Sequence, residues 1–208
     1  MMALPKPAGR AERAHCCPRI ARGSLAAAAI AFLFLFLFSA RTFAQNDSPS
    51  EYQVKAAFLF NFAKFVDWPS GTYPGPQSPF AICVLGDDPF GPVLENTLAG
   101  KSLGTHPVVL RRTKDLAEAR RCQVVFVSSS QSHRYAEVVE GVRGARVLLV
   151  GETDGFASAG GAIEFTLEGN HVRFAINPEA AQRTGLTLSS KLLMLARIVH
   201  DGGYAGKS

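Results

Sequence analysis

Phe80-Ala81-Ile82-Cys83-Val84-Leu85-Gly86 is the stretch whose reading decides the fold. Its apolar residues run without a polar interruption and end on a glycine. A strand with one wet face alternates apolar and polar residues. A continuous run needs apolar cover on both faces, which is the situation of a strand inside a mostly parallel sheet. The chain beyond it repeats the arrangement. Asp88-Pro89 opens a short predicted helix to about Leu98, with Asp88 as cap. Further apolar strands are predicted over residues 107–110, 122–128 and 146–151, separated by helical stretches near 116–119 and over 130–142. Short apolar strands alternating with helices are the mark of βαβ units.

The pattern then changes. Residues 162–167 and 171–176 alternate with period two around Glu168-Gly169-Asn170, the signal of an antiparallel hairpin. Helices are predicted over 178–184 and 189–199, the second with Leu192, Leu193, Leu195, Ala196 and Ile198 on its apolar side. Before the first strand, residues 51–66 read as a helix capped by Ser50 and stopped near Pro69. Tyr52, Phe58, Phe60, Phe62 and Phe65 make it apolar over most of its circumference, so it is expected to be buried or paired. The expected fold is α/β: a mostly parallel sheet flanked by helices, with a C-terminal antiparallel hairpin and a terminal helix.

The N-terminal region has the layout of a secretory signal peptide: scattered basic residues, the apolar run Leu25 to Phe38, then small and polar residues. That run is 14 residues, short of the roughly 20 that a spanning helix needs. Cleavage is expected after Ala44, with Ala40 as the second choice; an uncleaved signal anchor is the alternative. The expected organisation is a signal peptide at 1–44, a linker at 45–50, one domain at 51–200 and a tail at 201–208. The leader carries six of the 22 Lys and Arg and one of the 17 Asp and Glu, so the rest holds 22 − 6 = 16 basic and 17 − 1 = 16 acidic residues. The basic excess belongs to the leader and gives no reason to expect nucleic acid as a partner. Cys83 and Cys122 remain after cleavage. In an oxidising compartment they pair if their strands are neighbours; otherwise they are two buried thiols. Export favours the bond.

No catalytic constellation stands out. Gly86-Asp-Asp-Pro-Phe-Gly91 lacks the ending of a phosphate loop and the glycine spacing of a dinucleotide loop. Ser128, Ser129 and Ser130 with His133 lack a nucleophile elbow and an orienting acid. His106, His133, His171 and His200 are too dispersed to suggest a metal site, and no cofactor is expected. Glu164 and Glu168 are expected on an exposed strand face, and Arg173 and Asn177 at the surface. In an open parallel sheet, ligands bind at the carboxyl ends of the strands. That rim offers Asp87, Ser128, Ser129 and Glu152 as a candidate small-ligand site.

Several blocks resemble the YfiR-like proteins: residues 55–69 (KAAFLFNFAKFVDWP), 82–91 (ICVLGDDPFG), 172–177 (VRFAIN) and 188–193 (LSSKLL), together with Gly155-Phe-Ala157 and Gly160-Gly161. The resemblance runs from about Tyr52 to Val199. It implies a periplasmic α/β domain without enzymatic activity. The best-known member represses an inner-membrane diguanylate cyclase through its periplasmic sensor domain, lowering cyclic-di-GMP and biofilm formation. Cys83 and Cys122 match a cysteine pair of that member whose redox state is tied to its folding and repressor activity, whereas a second pair has no counterpart between Gly155 and Phe165. The implied partner is an inner-membrane sensor, a diguanylate cyclase or a histidine kinase, with a homodimer as a further expectation. Tyr52, Phe58, Phe65 and Trp68 on the aromatic helix are the candidate partner-binding residues, since aromatic side chains favour interface cores. An ordinary core helix is the competing reading. A periplasmic small-ligand binding protein is the alternative function.

Overall fold

A computed structural model of the chain describes residues 50–202. The expected signal peptide, its cleavage site, most of the linker and the end of the tail lie outside the described residues. Two sheets organise the domain. Among the described residues, the larger has eight strands in the order β10 (Arg197–Ile198), β8 (His171–Ile176), β7 (Ile163–Glu168), β6 (Leu148–Gly151), β5 (Val124–Val127), β2 (Phe80–Leu85), β4 (His106–Thr113) and β3 (Ser102–Leu103), and β1 (Val66–Asp67) and β9 (Thr187–Leu188) form a two-stranded sheet.

The central strands are β2 (Phe80–Leu85), β5 (Val124–Val127) and β6 (Leu148–Gly151), and every residue in them is buried. With β4 (His106–Thr113) and β7 (Ile163–Glu168) they pair in parallel. Alternation inside β2 shows why no polar residue interrupts it. Phe80, Ile82 and Val84 join one apolar cluster; Ala81, Cys83 and Leu85 join another on the opposite face. The first cluster is closed by α1 (Glu51–Lys64) and α2 (Pro92–Leu98), the second by α3 (Leu116–Ala119) and α4 (Tyr135–Gly141). β7 and β8 (His171–Ile176) form the antiparallel hairpin, in register from Ile163↔Ile176 to Glu168↔His171. β3 (Ser102–Leu103) pairs antiparallel with the start of β4.

Several boundaries differ from the sequence expectation, each because a specific pairing wins. α1 ends at Lys64, and β1 (Val66–Asp67) pairs with β9 (Thr187–Leu188). α2 starts at Pro92 instead of Pro89, since a second proline occupies its first turn; Asp88 caps the preceding turn, accepting from Phe90 N at 2.8 Å. The helix expected over 130–142 begins as a 3-10 turn, Ser129–Arg134, before α4. After α5 (Pro178–Arg183), the terminal helix α6 covers only Ser190–Leu193. The chain then extends as β10 (Arg197–Ile198), which pairs in parallel with Ala175–Ile176 of β8. That edge pairing replaces the last helical turns and leaves Met194 and Leu195 at 77% and 72% exposure rather than on an apolar helix face.

Candidate functional site

α1 is set by its sequence. Ser50 accepts from Gln53 N while the Gln53 side chain accepts from Ser50 N, a capping box. Ala56, Leu59, Phe60, Phe62 and Ala63 are buried; Gln53, Ala57, Asn61 and Lys64 point to solvent. Of the four candidate partner-binding aromatics, Tyr52 and Phe58 fall between these two faces, Phe65 and Trp68 follow the helix, and all four are half-buried. The Tyr52 ring meets Phe90 edge to face at 5.3 Å, and its hydroxyl donates to Glu152 Oε2 at 3.3 Å. Phe58 stacks on Phe62 at 5.6 Å and meets the Phe174 edge at 5.4 Å. Phe65 follows the helix as its C-cap, and Trp68 donates from Nε1 to Ala63 O at 2.9 Å while meeting Phe80 at 5.2 Å.

The aromatics therefore do not form one exposed patch. Phe58 is the one among them that lines the hollows beside α1. It lines a cleft of about 400 Å³ between α1 and the tip of the β7–β8 hairpin, shared with Val54 and the exposed Leu167. It also lines an adjoining hollow of about 260 Å³ with Val54 and Ala57. The two share Val54 and Phe58 as an apolar floor along α1, while Glu51, His171 and Arg173 also line the larger cleft.

Next to this cleft, which Glu51 also lines, lies a buried ion pair outside the sequence expectation. Lys55, a polar residue on an apolar helix, is buried at 4% exposure. Its Nζ donates to Glu152 Oε2 at 2.8 Å and also pairs with Glu51 one helical turn earlier. Burial opposes the lysine's charge, but the hydrogen bonds to Glu152 and Glu51 prevail and hold its pKa above the ordinary lysine value. Burial, and next the Glu152 carboxylate, push the Tyr52 hydroxyl up in the same way. The Glu51–Lys55 spacing of four residues was the available signal.

Of the strand-rim candidates, Glu152 is thus taken up by Lys55 and Tyr52. Asp87 pairs with Lys114 at 2.8 Å on the surface. Ser128 caps the 3-10 turn, its Oγ accepting from Ser130 N, while Ser129 opens that turn. No hydrogen bond links His133 to these serines. Two expectations are corrected. Glu164 is fully buried, because β6 and β8 flank it on both sides, and its carboxylate accepts from Gly155 N at 3.1 Å and Ala157 N at 2.9 Å. Asn177 is also fully buried; it caps α5 by accepting from Ala180 N and donates to Ala157 O. The Asn177-Pro178 pair was a readable cap signal. Both residues hold the loop of residues 153–161 that carries Phe156.

Cys83 and Cys122 form a disulfide, with Cα atoms 6.1 Å apart, linking β2 to the start of the segment that leads into β5. Among the described residues no cluster of three or more His, Cys, Asp or Glu could hold a metal, and no helix is long and apolar enough to cross a membrane.

Known structures and families place this architecture. A conserved domain protein from Vibrio cholerae matches with a TM-score of 0.51 at 11% identity, over 72% of this chain and 60% of that one. The ABC domain of a Streptococcus pneumonia protein in complex with L-Trp matches at 0.46 and 11% identity, over 69% and 60%. The chain thus spans 60% of the length of each of these solved chains. At this identity the first match is a likeness of fold alone. The family profile described as YfiR/HmsC-like (DUF4154) matches residues 52–197, from the first turn of the aromatic helix to the edge strand β10. That span takes in α1, the disulfide, the Lys55–Glu152 pair and the hairpin, and the chain belongs to the YfiR/HmsC-like family.

Proposed function

We propose that this protein is a periplasmic, non-enzymatic signalling regulator that represses a membrane-bound diguanylate cyclase or a similar sensor by binding its periplasmic domain. Family membership across residues 52–197 carries the reading. The apolar groove beside Phe58, formed by α1 and the hairpin tip, is the surface we assign to that partner. Tyr52, Phe65 and Trp68 serve instead to seat α1 and its C-terminal end on the domain, through Phe90 and Glu152, the helix C-cap, and Ala63 O and Phe80. The signal peptide delivers the domain to the compartment where such a partner is exposed and where the Cys83–Cys122 bond persists.

Deleting the gene and measuring cyclic-di-GMP tests the role: a rise is expected, and unchanged levels under envelope stress would sink the cyclase-repressor version. Phe58→Asp in the secreted protein should release the partner while leaving the circular dichroism spectrum unchanged. A thermal-shift screen against a metabolite library separates the ligand-binding alternative at the strand rim, since strong stabilisation by one compound favours that reading.

A further inference from the structure

At one side of the sheet β4 ends the parallel array, and β3 covers only its beginning, where Ser102 and Leu103 pair with Pro107 and His106. Beside the uncovered end lies a cleft of about 310 Å³ lined by Cys83, Arg111, Arg112, Thr113, Glu118 and Arg121. Arg111 stands directly opposite Cys83 in the β2–β4 register, and Arg121 immediately precedes Cys122. The disulfide therefore ties together the backbone positions beside the two arginines.

Charge pairing singles these two out. Arg112, Arg134, Arg143, Arg173 and Arg183 are held by Asp88, Glu137, Glu140, Glu168 and Asp201. Arg120 and Arg146 donate to the carbonyls of Gly141 and Gly71, and Arg197 is also engaged. Arg111 and Arg121 are exposed and have no partner among the described residues, yet both line one cleft. The carboxylate there, Glu118, accepts the Thr113 hydroxyl at 2.6 Å. Two cations against one carboxylate leave the cleft net positive. Guanidinium forks match the oxygens of a phosphate group in a way a lysine ammonium does not.

The geometry points to an oxyanion site: Arg111 and Arg121 clamp a small soluble dianion of the phosphate class in a cleft whose walls are tied by the Cys83–Cys122 bond. Exposed cations at a sheet edge also discourage edge-to-edge pairing. Such a guard needs only charge, so lysine would serve it equally well; the clamp requires the fork.

The test titrates the protein, disulfide intact, with inorganic phosphate, using sodium chloride at matched ionic strength as the control. Arginine Nε–H resonances and the thermal midpoint are the readouts. Saturable shifts of the Arg111 and Arg121 signals and a phosphate-specific rise in midpoint are expected. Affinity should fall about tenfold in R111Q, R121Q and R111K. An equal response to chloride, a response without saturation, or unchanged affinity in all three variants would overturn the site. Phosphate affinity should also fall in the C83A/C122A variant, checked for retained fold by circular dichroism; an undiminished value there would refute the tying role of the disulfide.

Discussion

The Lys55 ammonium meets the Glu152 carboxylate at 2.8 Å across 97 residues of chain, with the two side chains only 5% and 8% exposed. This pair fastens α1 to the carboxyl end of β6, directly under the Tyr52 hydroxyl. Removing one partner strands the other charge away from water, which costs about 3–5 kcal/mol. Lys55→Met should therefore lower the stability measured by urea unfolding by that amount. Replacing Glu152 with Leu in the same chain should restore much of it, because two apolar groups leave no buried charge. Equal stability of Lys55→Met and the parent protein would show that α1 is held by its aromatic face alone.

The same pair makes stability fall at alkaline pH. Lys55 and Tyr52 both have folded-state pKa values raised above their unfolded ones. For a raised pKa, the folded state binds the proton more tightly than the unfolded state. Its contribution is complete below the unfolded value, about 10.4 for lysine and about 10 for tyrosine. It is lost as pH rises through the folded values. Unfolding free energy should thus be insensitive to these groups up to about pH 9.5 and decline above it. In Lys55→Met the decline should be shallower, as followed by urea midpoints from neutral to alkaline pH.

How much of this could be read from sequence depends on whether a residue's neighbours are close in the chain. β2 announced itself, since six buried residues in a row can sit only inside a covered sheet. The capping box at Ser50 was equally local. Residues 194–199 continued a helical apolar pattern, yet Met194 to Ala196 turn away from the helix and the chain then extends, because β8 offers its edge to Arg197 and Ile198. Glu164 looked like the polar half of an alternating strand. Its burial follows from β6 and β8 closing around it and from the backbone N–H groups of Gly155 and Ala157, which supply the hydrogen bonds a buried carboxylate requires. The four aromatics proposed as a binding face were visible as residues, but which of them borders a groove depends on where the hairpin tip lands. That placement singles out Phe58.

The Cys83–Cys122 bond closes a loop with a sequence separation of 39. On the chain-entropy account, a loop of that size contributes about 4 kcal/mol by restricting the unfolded chain. The exported protein should have a mass two hydrogens below its dithiol form under non-reducing conditions; two free thiols would refute the bond in the cell. C83A/C122A should lose stability of that order, read as a lower urea midpoint. Because the bond joins β2 to the segment before β5, and not α1 to anything, the groove beside Phe58 should keep its partner affinity in this variant at temperatures where it stays folded.

Phe156 is pinned between glycines. A Cβ on Gly161 would lie 2.2 Å from its ring, and one on Gly151 would lie 2.6 Å away. The ring is fully buried and meets Tyr135 edge to face at 4.9 Å. It cannot retreat, because Glu164 grips the backbone on either side of it at Gly155 and Ala157. Overpacking of this kind costs about 1–3 kcal/mol. Gly161→Ala should therefore lower the thermal midpoint, and Phe156→Leu in the same chain should recover part of the loss by vacating ring volume, although Phe156→Leu alone is destabilising. That reversal of sign between the single and the double variant is the decisive reading. If Gly161→Ala alone matches the parent protein, the ring is free to shift and Glu164 does not lock the loop of residues 153–161.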